Sequence, residues 1–193
     1  MNSRQIEIGE IEAQFNPPLS LGTLKKENVK VLYFPQEDAV CLQYKHEFVT
    51  YHQFWSAHGR RTFAAALAKY NEDYDARNLN AKGGRRTRST YGSVKGYLIW
   101  QMFSFTVQAR ANMNLGMGYE FKERSPYFTI NQGVAEYREE ISRDNNKNSP
   151  IIALYFTRAQ AAELAALFDP AFLRELGSPG GNNIPIDPYR DNY

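Results

Sequence analysis

One stretch constrains the fold more than any other: the apolar run from Tyr97 to Ala111, the longest in the chain. From Phe103 onward, apolar and polar residues alternate without a break. A period of two is typical of a strand with one buried and one solvated face. A helical stripe also fits part of the run, but its aromatic and β-branched residues favour a pleated strand. We therefore predict that this run is the central strand of an antiparallel sheet.

The length of the run predicts that this strand is curved. Fifteen residues in extended conformation would span about 50 Å. A compact domain of this size has a radius of gyration near ~16 Å, so it is only about 42 Å across. The alternation also changes phase near Gln101. We therefore expect a β-bulge or a sharp bend within Trp100–Met102, and a hairpin turn at Asn112–Asn114 where the alternation is interrupted.

The remaining elements predict an α+β fold. Their order is ββ-α-ββββ(β)-α, which we interpret as a curved antiparallel sheet of about five to seven strands with two helices packed on one face. Two alternating runs around a proline-containing turn predict a hairpin of Val29–Phe34 and Ala39–Lys45. A Thr50/Gln53 capping box predicts a first helix that runs to about Arg77, and a Thr157/Gln160 capping box predicts the start of a second. A short helical piece is predicted from Asp169 to Gly177.

The chain is interpreted as one domain with two flanking segments. Residues 1–28 are assigned to an N-terminal arm, because Asn16-Pro17-Pro18 interrupts any regular structure. Residues 29–176 form the single α+β domain, and residues 177–193 form an irregular or disordered C-terminal tail. A lone cysteine, Cys41, excludes an intramolecular disulfide, and we interpret it as a small strand residue.

Charge and hydropathy limit the partners. The formal net charge is +2, too close to neutral to favour nucleic acid or an anionic membrane as a partner. The sequence shows neither an apolar stretch long enough to cross a membrane nor a basic-then-apolar leader. We expect a soluble protein, either cytoplasmic or exported with its signal removed. The many tyrosines and asparagines slightly favour export.

An aromatic cluster is the first candidate site. We expect it where the first helix crosses the curved sheet, and it would contact an apolar small molecule or a protein partner. A filled core is the alternative, and it is the default because protein interiors are close-packed. The candidate residues are Trp55, Phe63, Tyr70, Trp100 and Phe103.

A basic segment is the second candidate, for an anion or a nucleic acid. Its residues are Lys82, Arg85, Arg86 and Arg88, followed by Tyr91 and Tyr97, which could stack on bases. We favour a simpler account, in which this loop folds back on the acidic end of the first helix, around Asp73 and Asp75. Binding of nucleic acid is therefore the less favoured function.

No catalytic constellation is recognisable, and we expect no metal and no cofactor. His52 and His58 would point about 120° apart on a helix, which is poor geometry for a shared metal. Gly116 and Gly118 leave one sheet face bare, where we expect a bulky side chain from a neighbouring strand or the tail rather than a ligand. The sequence thus predicts a non-enzymatic binding or structural domain, and leaves open an enzyme whose residues assemble only in three dimensions.

Overall fold

The computed structural model describes residues 5–15, 24–46, 49–81, 87–102, 109–134, 149 and 151–177. This part contains eight strands and three helices. In chain order they are β1 (Ile6–Phe15), β2 (Lys25–Phe34), β3 (Ala39–His46), β4 (Val49–Trp55), α1 (Ala57–Asp75), β5 (Gly92–Met102), β6 (Ala109–Lys122), β7 (Ser125–Gln132), β8 (Ile152–Phe156), α2 (Arg158–Leu167) and α3 (Pro170–Leu176).

The strands form a closed antiparallel barrel. Each strand pairs with its neighbours in the sequence, and β8 returns to β1, where Phe15 lies opposite Leu154. The predicted open sheet of about five to seven strands with helices on one face is therefore wrong. Sheet twist is the physical reason, because a coiled sheet of this width can pair its two edge strands and leave no edge exposed.

The run from Tyr97 to Ala111 forms two strands rather than one. Its first part belongs to β5 and its last part to β6, and Leu98 lies directly opposite Ala111. The pairing of β4 with β5 continues in one register through Trp100 to Met102, so the predicted bulge is wrong. The buried side chains are even-numbered in β5 and odd-numbered in β6, which runs antiparallel to it.

The first predicted helix start also proves to be a strand. Residues 49–55 form β4, and Val49, Tyr51, Gln53 and Trp55 alternate as its buried, inward-facing positions. Helix α1 begins later, with Ser56 as its N-cap; the Ser56 hydroxyl accepts a hydrogen bond from the Gly59 backbone nitrogen at 3.2 Å. The capping-box pattern misled because Gln53 faces the barrel interior and not the helix terminus.

The segment assigned to an N-terminal arm contributes a strand to the barrel. Residues 6–15 form β1, which pairs with β2 along its length and with β8 near its end. Its inward-facing Ile11, Ala13 and Phe15 are buried in the core. Except for Gly177, the predicted C-terminal tail lies outside the described residues.

Helix α1 lies across one end of the barrel, which we call the helical end. At its start, Arg60 donates a hydrogen bond to the Asp38 carboxylate in the β2–β3 turn at 2.6 Å. Further along, the Tyr70 hydroxyl donates to the Pro126 carbonyl near the β6–β7 turn at 3.2 Å. These two turns lie on opposite sides of a ring of eight strands. Ten residues of helix, about 15 Å, join them, so α1 spans the barrel mouth.

The C-terminal helices pack beside α1 and begin as predicted. The Thr157 hydroxyl accepts from the Gln160 backbone nitrogen, and the Gln160 side chain accepts from the Thr157 backbone nitrogen, so the second capping box is confirmed. Asp169 caps α3, with Pro170 at its first position. Arg158 of α2 forms an ion pair with Asp75 at the end of α1, which ties the two helices together.

Candidate functional site

Three of the predicted pocket residues pack together at the helical end. Trp55 is 1% exposed, and Phe63 and Tyr70 are fully buried. The Phe63 ring meets the rings of Trp55 and Phe128 edge-on, with centroids 6.0 and 5.5 Å apart, respectively. Phe168 contacts both Trp55 and Phe63. These rings pack on one another beneath α1, where the aromatic pocket was expected.

The structure does not bring Trp100, a further predicted pocket residue, to this cluster. Trp100 lies opposite Tyr51, four residues before Trp55 on β4 and hence about 13 Å away along the strand. Phe103 lies outside the described residues. The aromatic residues of the barrel interior are therefore spread along its axis.

A polar chain runs through the barrel interior. The Gln132 side-chain oxygen accepts hydrogen bonds from the Tyr44 hydroxyl at 3.0 Å and from the Gln53 amide at 3.2 Å. Gln53 in turn accepts from the Trp55 indole nitrogen at 3.0 Å. The sequence reasoning missed this chain, although Gln53 stands at an inward position of an alternating strand. Because these groups satisfy one another, they orient interior side chains and fix strand neighbours.

Of the basic segment, the structure describes only Arg88; Lys82, Arg85 and Arg86 lie outside the described residues. Arg88 pairs with Glu120 at 3.3 Å on the outer face of the barrel. At the acidic end of α1, Asp75 binds Arg158 and Asp73 accepts from the Tyr91 hydroxyl at 2.7 Å. Within the described residues, Asp73 and Asp75 thus bind α2 and Tyr91, the residue before β5.

A groove with a volume of about 350 Å³ opens at the helical end, between the β2–β3 turn, the start of α1 and α3. We call it the arginine groove. Its apolar walls come from all three of these elements and include Tyr33, Pro35, Ala57, Pro170 and Leu173. The groove exists because α3 begins beside the β2–β3 turn and leaves a gap over the first turn of α1.

Three arginines line the arginine groove: Arg60, Arg61 and Arg174. Asp38 is the single carboxylate in its lining, so three positive charges against one leave a net charge of +2. Arg60 is 3% exposed; it pairs with Asp38 and also donates to the Trp55 carbonyl at 3.2 Å. Its Nε atom is buried and has no hydrogen-bond partner among the described residues.

The other two arginines of the groove are exposed. Among the described residues, no acidic side chain pairs with Arg61 or Arg174. The first turn of α1 contains no acidic residue, so its positive end also goes uncompensated there. Burial raises the pKa of Tyr33, and the Asp38 carboxylate raises it further, so the phenol stays protonated and can donate a hydrogen bond. Sequence reasoning missed the groove because its lining comes from three distant segments.

A second groove of about 430 Å³ lies at the other end of α1. Its lining includes Asp75 and Arg77, whose charges cancel, and Asp75 is already paired with Arg158. The side chains of Leu79 and Phe121 supply its apolar surface. It therefore lacks the charge surplus that distinguishes the arginine groove.

Histidine, cysteine and acidic side chains are the candidate metal ligands and nucleophiles in the described part of the chain. No group of three histidine, cysteine or acidic side chains there could hold a metal ion. His46 stacks on Phe15 inside the barrel, His52 lies on β4 and His58 on α1. Burial raises the pKa of the Cys41 thiol, which keeps it protonated. No helix in the described ranges is long and apolar enough to cross a membrane.

The fold and site together define a closed up-and-down β-barrel with one helix-covered end and a cationic groove beside that cover. The chain belongs to the family described as "Uncharacterised Treponema protein", whose profile matches residues 5–175. The match extends from the start of β1 into α3 and so includes the groove. No curated protein and no solved structure matches the chain.

Proposed function

We propose that this protein is a non-enzymatic binding protein that holds a small amphipathic molecule in the arginine groove. The observation that carries this proposal is a concave, mostly apolar groove, about 350 Å³ in volume, with three arginines in its lining. Small-molecule sites are typically concave and mostly apolar, with a few polar groups that orient the ligand. The groove falls within the usual size range of such sites, about 300–1,000 Å³.

The walls of the groove are held in place before any ligand binds. The pair of buried Arg60 with partly exposed Asp38 fixes the β2–β3 turn to the start of α1, and Asp38 accepts from Arg60 through both its carboxylate and its backbone carbonyl. Asp169 caps α3 through hydrogen bonds from the backbone nitrogens of Ala171 and Phe172. A site built on fixed elements loses less conformational entropy on binding.

Two other functions have less support. Anion or nucleic-acid binding by the basic segment would need Arg88, but that residue already pairs with Glu120. An enzymatic role could involve the same cluster, where the Tyr155 hydroxyl donates to Glu120 at 3.0 Å. Burial and the Glu120 charge raise the pKa of Tyr155, so the phenol is a poor nucleophile and a poor base.

The experiment fills the groove with a larger side chain. Ala57→Phe places a ring in the groove, and Ala64→Phe adds the same ring at an exposed position of α1. The probe is N-phenyl-1-naphthylamine, an uncharged dye that fluoresces in apolar sites. We expect wild type and Ala64→Phe to enhance its fluorescence equally and Ala57→Phe to enhance it several-fold less.

Thermal unfolding of all three proteins verifies that each variant is folded. Equal fluorescence from folded Ala57→Phe and wild type would place the dye elsewhere and contradict the proposal. The absence of any enhancement with wild type would contradict it as well.

A further inference from the structure

We infer that the ligand of the arginine groove carries an oxyanion, a carboxylate or a phosphate, which lies between Arg61 and Arg174. This inference rests on the proposed function, because it specifies the ligand of the same groove. It depends on the charge of the groove, whereas the proposed function depends on its concave apolar surface.

The charge imbalance points to a negatively charged ligand. Asp38 compensates Arg60, and Arg61 and Arg174 have no acidic partner among the described residues. Like charges in the lining of one groove repel one another, and a bound anion would relieve that repulsion. Guanidinium groups bind carboxylate and phosphate oxygens through paired hydrogen bonds, which makes such an oxyanion the matching group.

The start of α1 strengthens this preference. Ala57, the first residue of the helix, lines the groove, so the positive end of the helix dipole lies at the site. Helix N-termini favour anions because their first backbone N–H groups lack intrahelical partners.

Arg60 adds a second, independent indication. Its side chain is almost completely buried and lines the groove, and its Nε–H has no hydrogen-bond partner among the described residues. A buried donor without a partner is costly, and an oxyanion that accepted a hydrogen bond from this N–H would remove that cost. The other two nitrogens, Nη1 and Nη2, donate to Trp55 and Asp38 and so hold the guanidinium group in place.

The size of the groove limits the apolar part of the ligand. At roughly 30 Å³ per water-sized group, 350 Å³ holds about a dozen non-hydrogen atoms. A carboxylate with eight carbon atoms in all fits this volume. Octanoate is therefore a suitable probe, with octanamide as its neutral counterpart of the same length and octyl phosphate as the second oxyanion.

The experiment compares these three probes by backbone amide chemical-shift titration, read at Ala57 and Leu173. For wild type, we expect at least one of the two anions to bind at least tenfold more tightly than octanamide, since hydrogen bonds to charged groups are the strong ones. The variant Arg61→Gln/Arg174→Gln should lose this preference. The control Lys69→Gln/Arg124→Gln removes two exposed cations outside the groove and should keep the preference for the anion.

The outcomes separate the inference from the proposed function. If both anions bind at the groove no more tightly than octanamide, the oxyanion inference is wrong and the binding function stands. An unchanged anion preference in the Arg61→Gln/Arg174→Gln variant would also overturn the inference. If none of the three probes shifts the Ala57 or Leu173 amide, both proposals fail. If the anions do bind more tightly than octanamide, the relative affinities of octanoate and octyl phosphate identify the preferred oxyanion.

Discussion

At the scale of single residues, Glu120 illustrates how partners across the sheet determine the chemistry of a side chain. It stands on the outer face of β6 and accepts hydrogen bonds from Lys122 at 2.9 Å and Tyr155 at 3.0 Å. Arg88 adds a further positive charge. Burial alone would raise the pKa of Glu120, but these hydrogen bonds and charges outweigh it, and the pKa lies below its usual value.

We expect Glu120→Gln to lower stability in a pH-dependent way. Because the folded-state pKa of Glu120 lies below the unfolded value of about 4.5, its contribution is complete above that pH and disappears as the pH falls through the folded-state pKa. The variant should be about 1 kcal/mol less stable than wild type at pH 7, and this difference should shrink as the pH falls to 3. Urea unfolding at both pH values measures this difference. The control Glu163→Gln, at an exposed position of α2, should show no such loss. If the stability difference between Glu120→Gln and wild type is as large at pH 3 as at pH 7, the charge of Glu120 is not its cause.

At the scale of elements, the segment before β5 packs tightly across β6. A Cβ atom at Gly118 would lie 1.8 Å from the Thr87 carbonyl oxygen, and one at Gly116 would lie 2.2 Å from the Ser89 hydroxyl oxygen. The bare sheet face predicted from these glycines is thus covered, but by the chain at Thr87–Ser89 rather than by a bulky side chain. Only glycine allows the two backbones to approach this closely.

We predict that Gly118→Ala destabilises the barrel by about 3 kcal/mol or more, because a backbone carbonyl cannot move aside as a flexible side chain would. The control is Gly133→Ala, where the new Cβ atom would lie 3.4 Å from its nearest neighbour, the Asn114 carbonyl oxygen. Thermal unfolding should show a large drop in midpoint for the first variant and a small change for the second. Similar midpoints for both would show that Thr87–Ser89 does not pack on β6 as described.

At the scale of the whole molecule, β1 closes the barrel. It pairs with β2 over most of its length but with β8 only at Gln14 and Phe15. The interior side chains of β1 complete the apolar core. Closure removes two sheet edges that would otherwise be open to pairing with other chains.

Deletion of residues 1–15 should therefore abolish cooperative unfolding, because it opens the barrel and removes Ile11, Ala13 and Phe15 from the core. Near-ultraviolet circular dichroism during heating measures the loss of fixed aromatic packing. Deletion of residues 1–4 is the matched control, since it leaves β1 intact. If the longer deletion still unfolds cooperatively near the wild-type midpoint, the segment is a dispensable arm and not a structural strand.

The elements that sequence reasoning predicted correctly are those with local signals. The β2–β3 hairpin follows from a proline-containing turn between two alternating runs, and α2 and α3 follow from their caps. The start of α1 was misplaced because Thr50 and Gln53 imitate a capping box within a strand. Among the predicted pocket residues, Trp55, Phe63 and Tyr70 share one cluster, but none of them lines the arginine groove.

The sequence by itself determined the antiparallel pairing of neighbouring strands and the positions of the C-terminal helices, because turn and cap signals act within a few residues. Only the tertiary structure decided that the sheet closes, that the run from Tyr97 to Ala111 reverses direction, and that Arg60, Arg61 and Arg174 meet at one groove. These features depend on contacts between residues far apart in the chain. A period of two tells which side chains share a face, but it is the same for an open sheet and a closed barrel.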